Sequence, residues 1–422
     1  MANDLNKPQA CRTFFRQRVL TGLTLWRNDL EAGGGPMTRL DTEWENILKA
    51  IHFGLHIEEA WPALYPVVRK LSPYMERRGF WGIWHEVLEQ VIQAARQVGD
   101  EVGETRLTFL RARLLFRQGR LPEAIRYYRR TIRLARRAGD WESEGRACSN
   151  LGYYYAGRDF WQRAEVLCCH ALDIFRQLGH RHGMAHTHLH LGWLYFRQRR
   201  WREAQRHLKA ACAIWQAMGD DHGLMRGFTH LGLLFIETAR PEAALHYLEE
   251  ALQLARQTGE ESLTGAICLN FALAHNRLTK DYRTAEEYAR RAEVIYSRHA
   301  NRAGQARAWG VWGMACLYRG EIEEARRLLA DALAQWRALH YRHGEADVLL
   351  DMVECELAAG NEEEAARRFQ EAERLLGRPA CDNLRRHFRP RLEAYCRRLT
   401  GGEVREAAAG EISPCAETQT TS

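Results

Sequence analysis

Apolar and polar positions along the chain follow a helical period in stretches such as 145–157 and 160–178, separated by the polar turn Gly157-Arg158-Asp159. Laid against itself at a shift of about 40 residues, the chain brings three series of small residues into register. One is Ala124, Ala164, Ala204, Ala244, Ala285, Ala325 and Ala365; a second is Ala171, Ala211, Ala251, Ala292, Ala332 and Ala372, with Thr131 in the first unit. The third is Ala112, Gly152, Gly192, Gly232, Ala272 and Gly313, ending in Val353. One extra residue near Asp281 is the sole slip. Larger apolar residues fill the positions between, as in Leu151, Tyr155, Leu167 and Ile174, then Leu191, Tyr195, Leu208 and Ile214. The pattern predicts antiparallel helix pairs whose axes touch at the small residues, where a larger side chain would push them beyond ~8–10 Å.

The spacing of Gly152, Ala164 and Ala171, of Gly192, Ala204 and Ala211, and of Gly232, Ala244 and Ala251 resembles the tetratricopeptide signature of three small residues. The resemblance covers about 100–377 and implies an all-α, right-handed superhelical solenoid of antiparallel helix pairs. The family period is shorter by about six residues, and the excess falls between the third small residue and the next unit's glycine. That places the turns between pairs at Gly139-Asp140, Gly179-His180, Gly219-Asp220 and Gly259-Glu260, where glycine suits a left-handed helix cap.

The ends depart from the repeat. Residues 1–40 read as an N-terminal helix (about 9–31) and a Gly33-Gly34-Gly35-Pro36 linker, with a further helix at 41–57 opening a segment, 41–99, that leads into the array. Seven repeats occupy 100–377, a capping helix 378–400, and a polar, aperiodic tail expected to be disordered 401–422. The stretch LDTEWENILKAIHFGL, followed by PYMERRGFWGIWHEVLEQVI, is similar to the segment joining core to repeats in bacterial signal-transducing NTPases with numerous domains. In that family the repeats form a sensor arm, which implies a bacterial signalling role. No G-x-x-x-x-G-K-[ST] phosphate loop occurs, so nucleotide hydrolysis is not carried over.

Composition narrows the function. With 46% hydrophobic and 27% charged residues the chain is neither disordered nor a membrane protein, and no apolar run approaches the ~20 residues a span requires. The start lacks a secretory layout, which points to the cytoplasm. The eleven cysteines show no CxxC or zinc spacing and read as reduced thiols, with Cys148, Cys212, Cys268, Cys316 and Cys355 inside helical patterns. No hydrolase elbow, HExxH or dinucleotide loop is present, so no enzyme activity, cofactor or metal is expected. His182, His186 and His190 share one helix side, but His190 aligns with Asn150, His230 and Asn270, which suggests a structural hydrogen bond repeated along the stack.

Charge is uneven: residues 101–210 hold 22 Lys+Arg against 10 Asp+Glu, a net of +12 within a chain of +7. In the family the first helix of each pair lines a concave groove. Groove positions here read Arg106, Arg146, His186, Arg226, Ala266, Arg307 and Asp347; Arg113, Tyr153, Trp193, Leu233, Leu273, Met314 and Glu354; and Arg117, Arg197 and Arg277. A basic ladder beside aromatics suits a protein or peptide partner with acidic segments; against this stands the reading that these arginines only solvate the groove or pair within the array. Family members that clamp a C-terminal dicarboxylate carry Lys and Asn where this chain has Phe109, Ser149, Leu189, Arg113, Tyr153 and Trp193, so that ligand is not expected. A second stripe, Arg126, Arg129, Arg130, Arg133, Arg136 and Arg137, is a candidate phosphate-contacting surface beside Tyr127 and Tyr128. The leading expectation is a non-catalytic adaptor or sensor arm. The alternative is a regulatory subunit of a nucleic-acid-handling or defence complex. Self-association through terminal helices stays open.

Overall fold

The computed structural model describes residues 8–32, 37–158, 160–258, 261–299, 301–377 and 382–399. The expected tail at 401–422, the Gly33–Pro36 linker, Asp159 and the Gly259-Glu260 turn lie outside them. All described secondary structure is helical. Two compact units result, one ending at His230 and one beginning at Leu231.

The first unit opens with α1 (Pro8–Glu31), α2 (Met37–Gly54), α3 (Trp61–Arg77) and α4 (Trp81–Gln97). It continues in pairs: α5 (Glu101–Arg117) with α6 (Leu121–Ala138), α7 (Trp141–Gly157) with α8 (Trp161–Gln177), and α9 (Arg181–Arg197) with α10 (Trp201–Gln216). The boundary between units falls within α11 (Asp221–Glu237). The second unit holds α12 (Pro241–Thr258), α13 (Glu261–Ala274) with α14 (Tyr282–Arg298), α15 (Arg302–Tyr318) with α16 (Ile322–Ala338), α17 (Arg342–Ala358) with α18 (Glu362–Leu376), and α19 (Asp382–Leu399).

The small residues sit where the helices meet. A Cβ added at Gly152 would lie 2.5 Å from Cys168 Sγ and 3.1 Å from the Ala164 carbonyl oxygen. At Gly192 it would lie 2.6 Å from Leu208, and at Gly232 the same from Leu248. Within the α7–α8 pair, Gly145 meets Phe175 while Gly152 meets Cys168, so one helix advances as the other retreats. The pair is antiparallel.

Turns between pairs use glycine in the left-handed region, with φ of 66° at Gly139, 62° at Gly179 and 65° at Gly219. The next residue caps the following helix. Asp140 accepts from the Ser143 N–H at 3.1 Å, His180 from Gly183 at 2.8 Å and Asp220 from Gly223 at 2.9 Å. The extra residue foreseen near Asp281 is taken up by a π-helical turn at His275–Thr279, the usual outcome of a one-residue insertion in a helix.

The recurring polar position of the first helices makes hydrogen bonds of two kinds. Asn150 and His230 bond to carbonyls of their own helices, Arg146 O at 2.8 Å and Arg226 O at 2.9 Å. His190 Nδ1 instead meets Ser149 Oγ of α7 at 2.8 Å. The bond to the carbonyl four residues back thus recurs at Asn150 and His230, whereas His190 bonds across to α7.

Within the first unit, first helices touch in succession, α3 to α5, α5 to α7 and α7 to α9, while α6, α8 and α10 make no comparable contacts with one another among the described residues. First helices therefore pack on one another along one side of this unit, the inner face that the tetratricopeptide resemblance implies.

Candidate functional site

The inner face of the first unit gathers the predicted cations, but it also supplies acids for most of them. Arg106 Nε reaches Asp140 Oδ2 at 3.0 Å, the same carboxylate group that caps α7. Arg113 donates to Glu76 Oε1 from Nη2 at 2.6 Å, and Arg117 Nε lies 3.2 Å from Glu76 Oε2. Glu76 is buried, so these two arginines answer an otherwise unpaired interior charge. Arg146 pairs with Glu142, one turn back on its own helix, at 2.8 Å. Solvent reaches 44% of the Arg146 side chain, yet burial, with the charges of Arg113 and Arg106, pulls its pKa below the ordinary arginine value. Such a pairing of access and enclosure is what the floor of a concavity gives.

Arg226 differs from the rest. Its Nη1 lies 3.1 Å from His186 Nδ1, and it forms no ion pair among the described residues. Burial lowers its pKa, and Arg117 adds a like charge. His186 is itself held well below the ordinary histidine value, by burial first and Arg226 second, so it takes the guanidinium N–H as a neutral ring. The His182 ring centroid is 4.5 Å from that of His186, the rings tilted at 58°, and His182 lies 3.3 Å from Asp220.

Aromatic rings run alongside. Phe116, Tyr153, Trp193 and His230 follow one another with centroids 6.3, 6.4 and 5.9 Å apart. Arg197 lies over the Trp193 ring at 5.9 Å, and Phe196 stacks on the same ring. Tyr153 and Trp193 are half-buried, which leaves apolar faces next to the cations.

In the second unit the ladder ends. Arg277 is paired with Glu237 at 2.6 Å, and Arg307 is exposed. The groove positions Asp347 and Glu354 are covered by α19: Arg391 bridges Asp347 at 2.8 Å and Asp351 at 2.6 Å, and Tyr395 donates to Glu354 at 2.9 Å.

The α6 stripe is largely tied into the array. Arg130 pairs with Glu104 at 2.9 Å, Arg136 with Glu144 at 2.8 Å and Arg137 with Glu101 at 2.8 Å. Arg129 donates to the Tyr155 hydroxyl at 2.8 Å. Arg126 and Arg133 are exposed, Arg126 with a long contact of 3.9 Å to Glu123 on its own helix. The acids that hold these arginines were not legible in the sequence, because they lie eight to 36 residues away on neighbouring helices.

Tetratricopeptide repeat family profiles match residues 111–138, 143–217, 226–258 and 304–377. The chain belongs to the tetratricopeptide-repeat family. No curated protein matches it. Among solved structures it is similar to the signal transduction ATPase with numerous domains PH0952 from Pyrococcus horikoshii, which has a tetratricopeptide repeat sensor (14% identity, TM-score 0.53, 85% of this chain and 55% of that one). It is also similar to aspartyl phosphate phosphatase F from Bacillus subtilis (12%, 0.55, 86% and 95%). A Rap protein complexed with Competence and Sporulation Factor matches as well (13%, 0.54, 80% and 99%). At these identities the likeness is one of fold.

Proposed function

We propose that the chain is a non-catalytic adaptor or sensor arm that recruits an acidic, aromatic-bearing peptide or protein segment on the inner face of α5, α7, α9 and the start of α11. The observation that carries this reading is Arg226, a half-buried guanidinium whose side-chain hydrogen-bond partner is a neutral imidazole. A half-buried charge whose nearest carboxylate, Asp220, acts from beyond ion-pair reach is incompletely balanced, at some cost in free energy. A ligand carboxylate arriving there recovers that cost through a charge-assisted, forked pair. Tyr153 and Trp193 then offer stacking surface beside it, and the rigid stack keeps the ordering cost on this side small. Two fold relatives, a protein with a tetratricopeptide repeat sensor and a Rap protein complexed with Competence and Sporulation Factor, agree with such a use of the fold.

The test is an affinity capture from the native host with and without nuclease, read by mass spectrometry, using wild type, Arg146→Glu/Arg226→Glu and Arg126→Ser/Arg133→Ser. A defined protein that survives nuclease and is lost only in the groove variant supports the reading. Capture that collapses on nuclease treatment, or is lost only in the α6 variant, replaces it with nucleic-acid contact.

A further inference from the structure

Glu144 and Cys148 stand four residues apart on α7 and therefore share one face, and His170 faces them from α8. One donor atom from each lies within 4.8 Å of the others. Glu144 is buried, and its two oxygens are used unequally. Oε1 takes both Arg136 Nε and His170 Nε2, each at 2.8 Å, whereas Oε2 is buried with no partner. Cys148 is buried and free. A buried carboxylate oxygen without a donor is costly and calls for a partner. Next to it stand a thiol and an imidazole nitrogen. A mixed sulfur, nitrogen and oxygen set suits zinc and disfavours magnesium or calcium, which prefer oxygen alone.

An ion also has a way in. The His170 side chain is 44% exposed, and it lines a cavity of about 190 Å³ together with Trp141, Asp173, Ile174, Gln177 and Leu178. Of the three ligands only His170 lines this cavity, and a water entering past it would take the fourth position.

We propose that Glu144, Cys148 and His170 bind a zinc-type divalent ion that staples α7 to α8. On binding, the Cys148 S–H proton goes to solvent and the thiolate bonds the metal. His170 releases its hydrogen bond to Oε1, moves its ring proton to Nδ1 and ligates through Nε2. Oε2 of Glu144 takes the third position while Arg136 keeps Oε1. Carboxylate and thiolate together balance the 2+ charge. The spacing E-x-x-x-C with a histidine on the paired helix matches no recognised zinc pattern, which is why the sequence alone discloses nothing here.

The test titrates cobalt(II), then zinc, into the reduced, untagged full chain. The expected result is one equivalent bound, with a near-ultraviolet thiolate-to-cobalt charge-transfer band that zinc displaces. Cys148→Ser removes the band, His170→Ala weakens binding at least ~10-fold, the size seen even for outer-shell partners, and Cys169→Ser changes neither. No band, or a band that survives in Cys148→Ser, overturns the proposal. Should Cys148→Ser disturb the fold, His170→Ala decides, with circular dichroism matched to wild type: undiminished affinity there overturns it.

Discussion

Replacing Gly304, Gly310 and Gly313 by alanine, one at a time, poses the same chemical change at three points of α15. Alanine gains about 1 kcal/mol over glycine in a helix interior. At Gly310 the new Cβ would meet only Val348 at 3.7 Å, an ordinary contact, so the full gain should appear. At Gly313 it would lie 3.0 and 3.2 Å from Leu329 and 3.4 Å from the Ala325 carbonyl oxygen, and the gain should be offset to near zero. At Gly304 it would lie 2.4–2.7 Å from the Tyr296 ring. That ring is buried in a cluster with Cys268, Leu269, Ala292 and Ala308, so it can retreat only by pushing on them. Overpacking of this kind costs ~1–3 kcal/mol, which exceeds the propensity gain. The difference between Gly310→Ala and Gly304→Ala should be roughly 2 kcal/mol, or about 4–8 °C in Tm for a unit of this size. Repeat arrays can melt in parts, so hydrogen exchange on α15 peptides should accompany calorimetry. Any order other than 310 above 313 above 304 would refute the packing argument.

Other expectations follow from the same geometry. His190 is buried with its pKa depressed to about 3, chiefly by burial and then by Arg226, so its contribution to stability is present above about pH 6.5 and lost as the unfolded chain takes up the proton below it. The cost is about 1.4 kcal/mol per pH unit between 6.5 and 3, and His190→Asn should remove that slope in Tm measured from pH 7.5 to 5; an unchanged slope would contradict it. Ala239, held at φ 53°, should yield ~1 kcal/mol of stability when replaced by glycine, readable as a raised urea midpoint. Arg226→Met should leave the ligand-free protein as stable or more stable, since it removes a half-buried cation that lacks an ion pair; a Tm lowered by several degrees would mark Arg226 as structural.

The helix pairs and their contacts were legible because three small residues per unit recur in register, and no other arrangement of Gly152, Ala164 and Ala171 explains that spacing. A second packing device went unread. Phe175, Trp215, Tyr296 and Trp336 each press on a glycine eight residues later, Gly183, Gly223, Gly304 and Gly344, all within 2.4–2.6 Å of an added Cβ. The signal was present as a fixed offset between an aromatic and a glycine, but the aromatic varies in identity and so escaped a search for repeated letters. The sequence pointed to Arg106, Arg113, Arg117 and Arg146 as groove candidates but not to Asp140, Glu76 and Glu142, which bind them. Glu76 lies outside the repeats, and a charge partner 37 residues away carries no periodic mark. Arg226 and Arg106 look alike in the sequence. Only the fold shows that one is paired and the other is not.

The most direct measurement is fluorescence anisotropy of an acidic, tyrosine-containing peptide, selected from a displayed random library on the full chain, against wild type, Arg226→Met and Arg126→Ser/Arg133→Ser. The account predicts enrichment of Asp/Glu-rich sequences, binding that weakens with salt, at least tenfold loss in Arg226→Met and no change in the α6 variant. Selection of sequences without acidic residues, or binding indifferent to Arg226→Met, would contradict it.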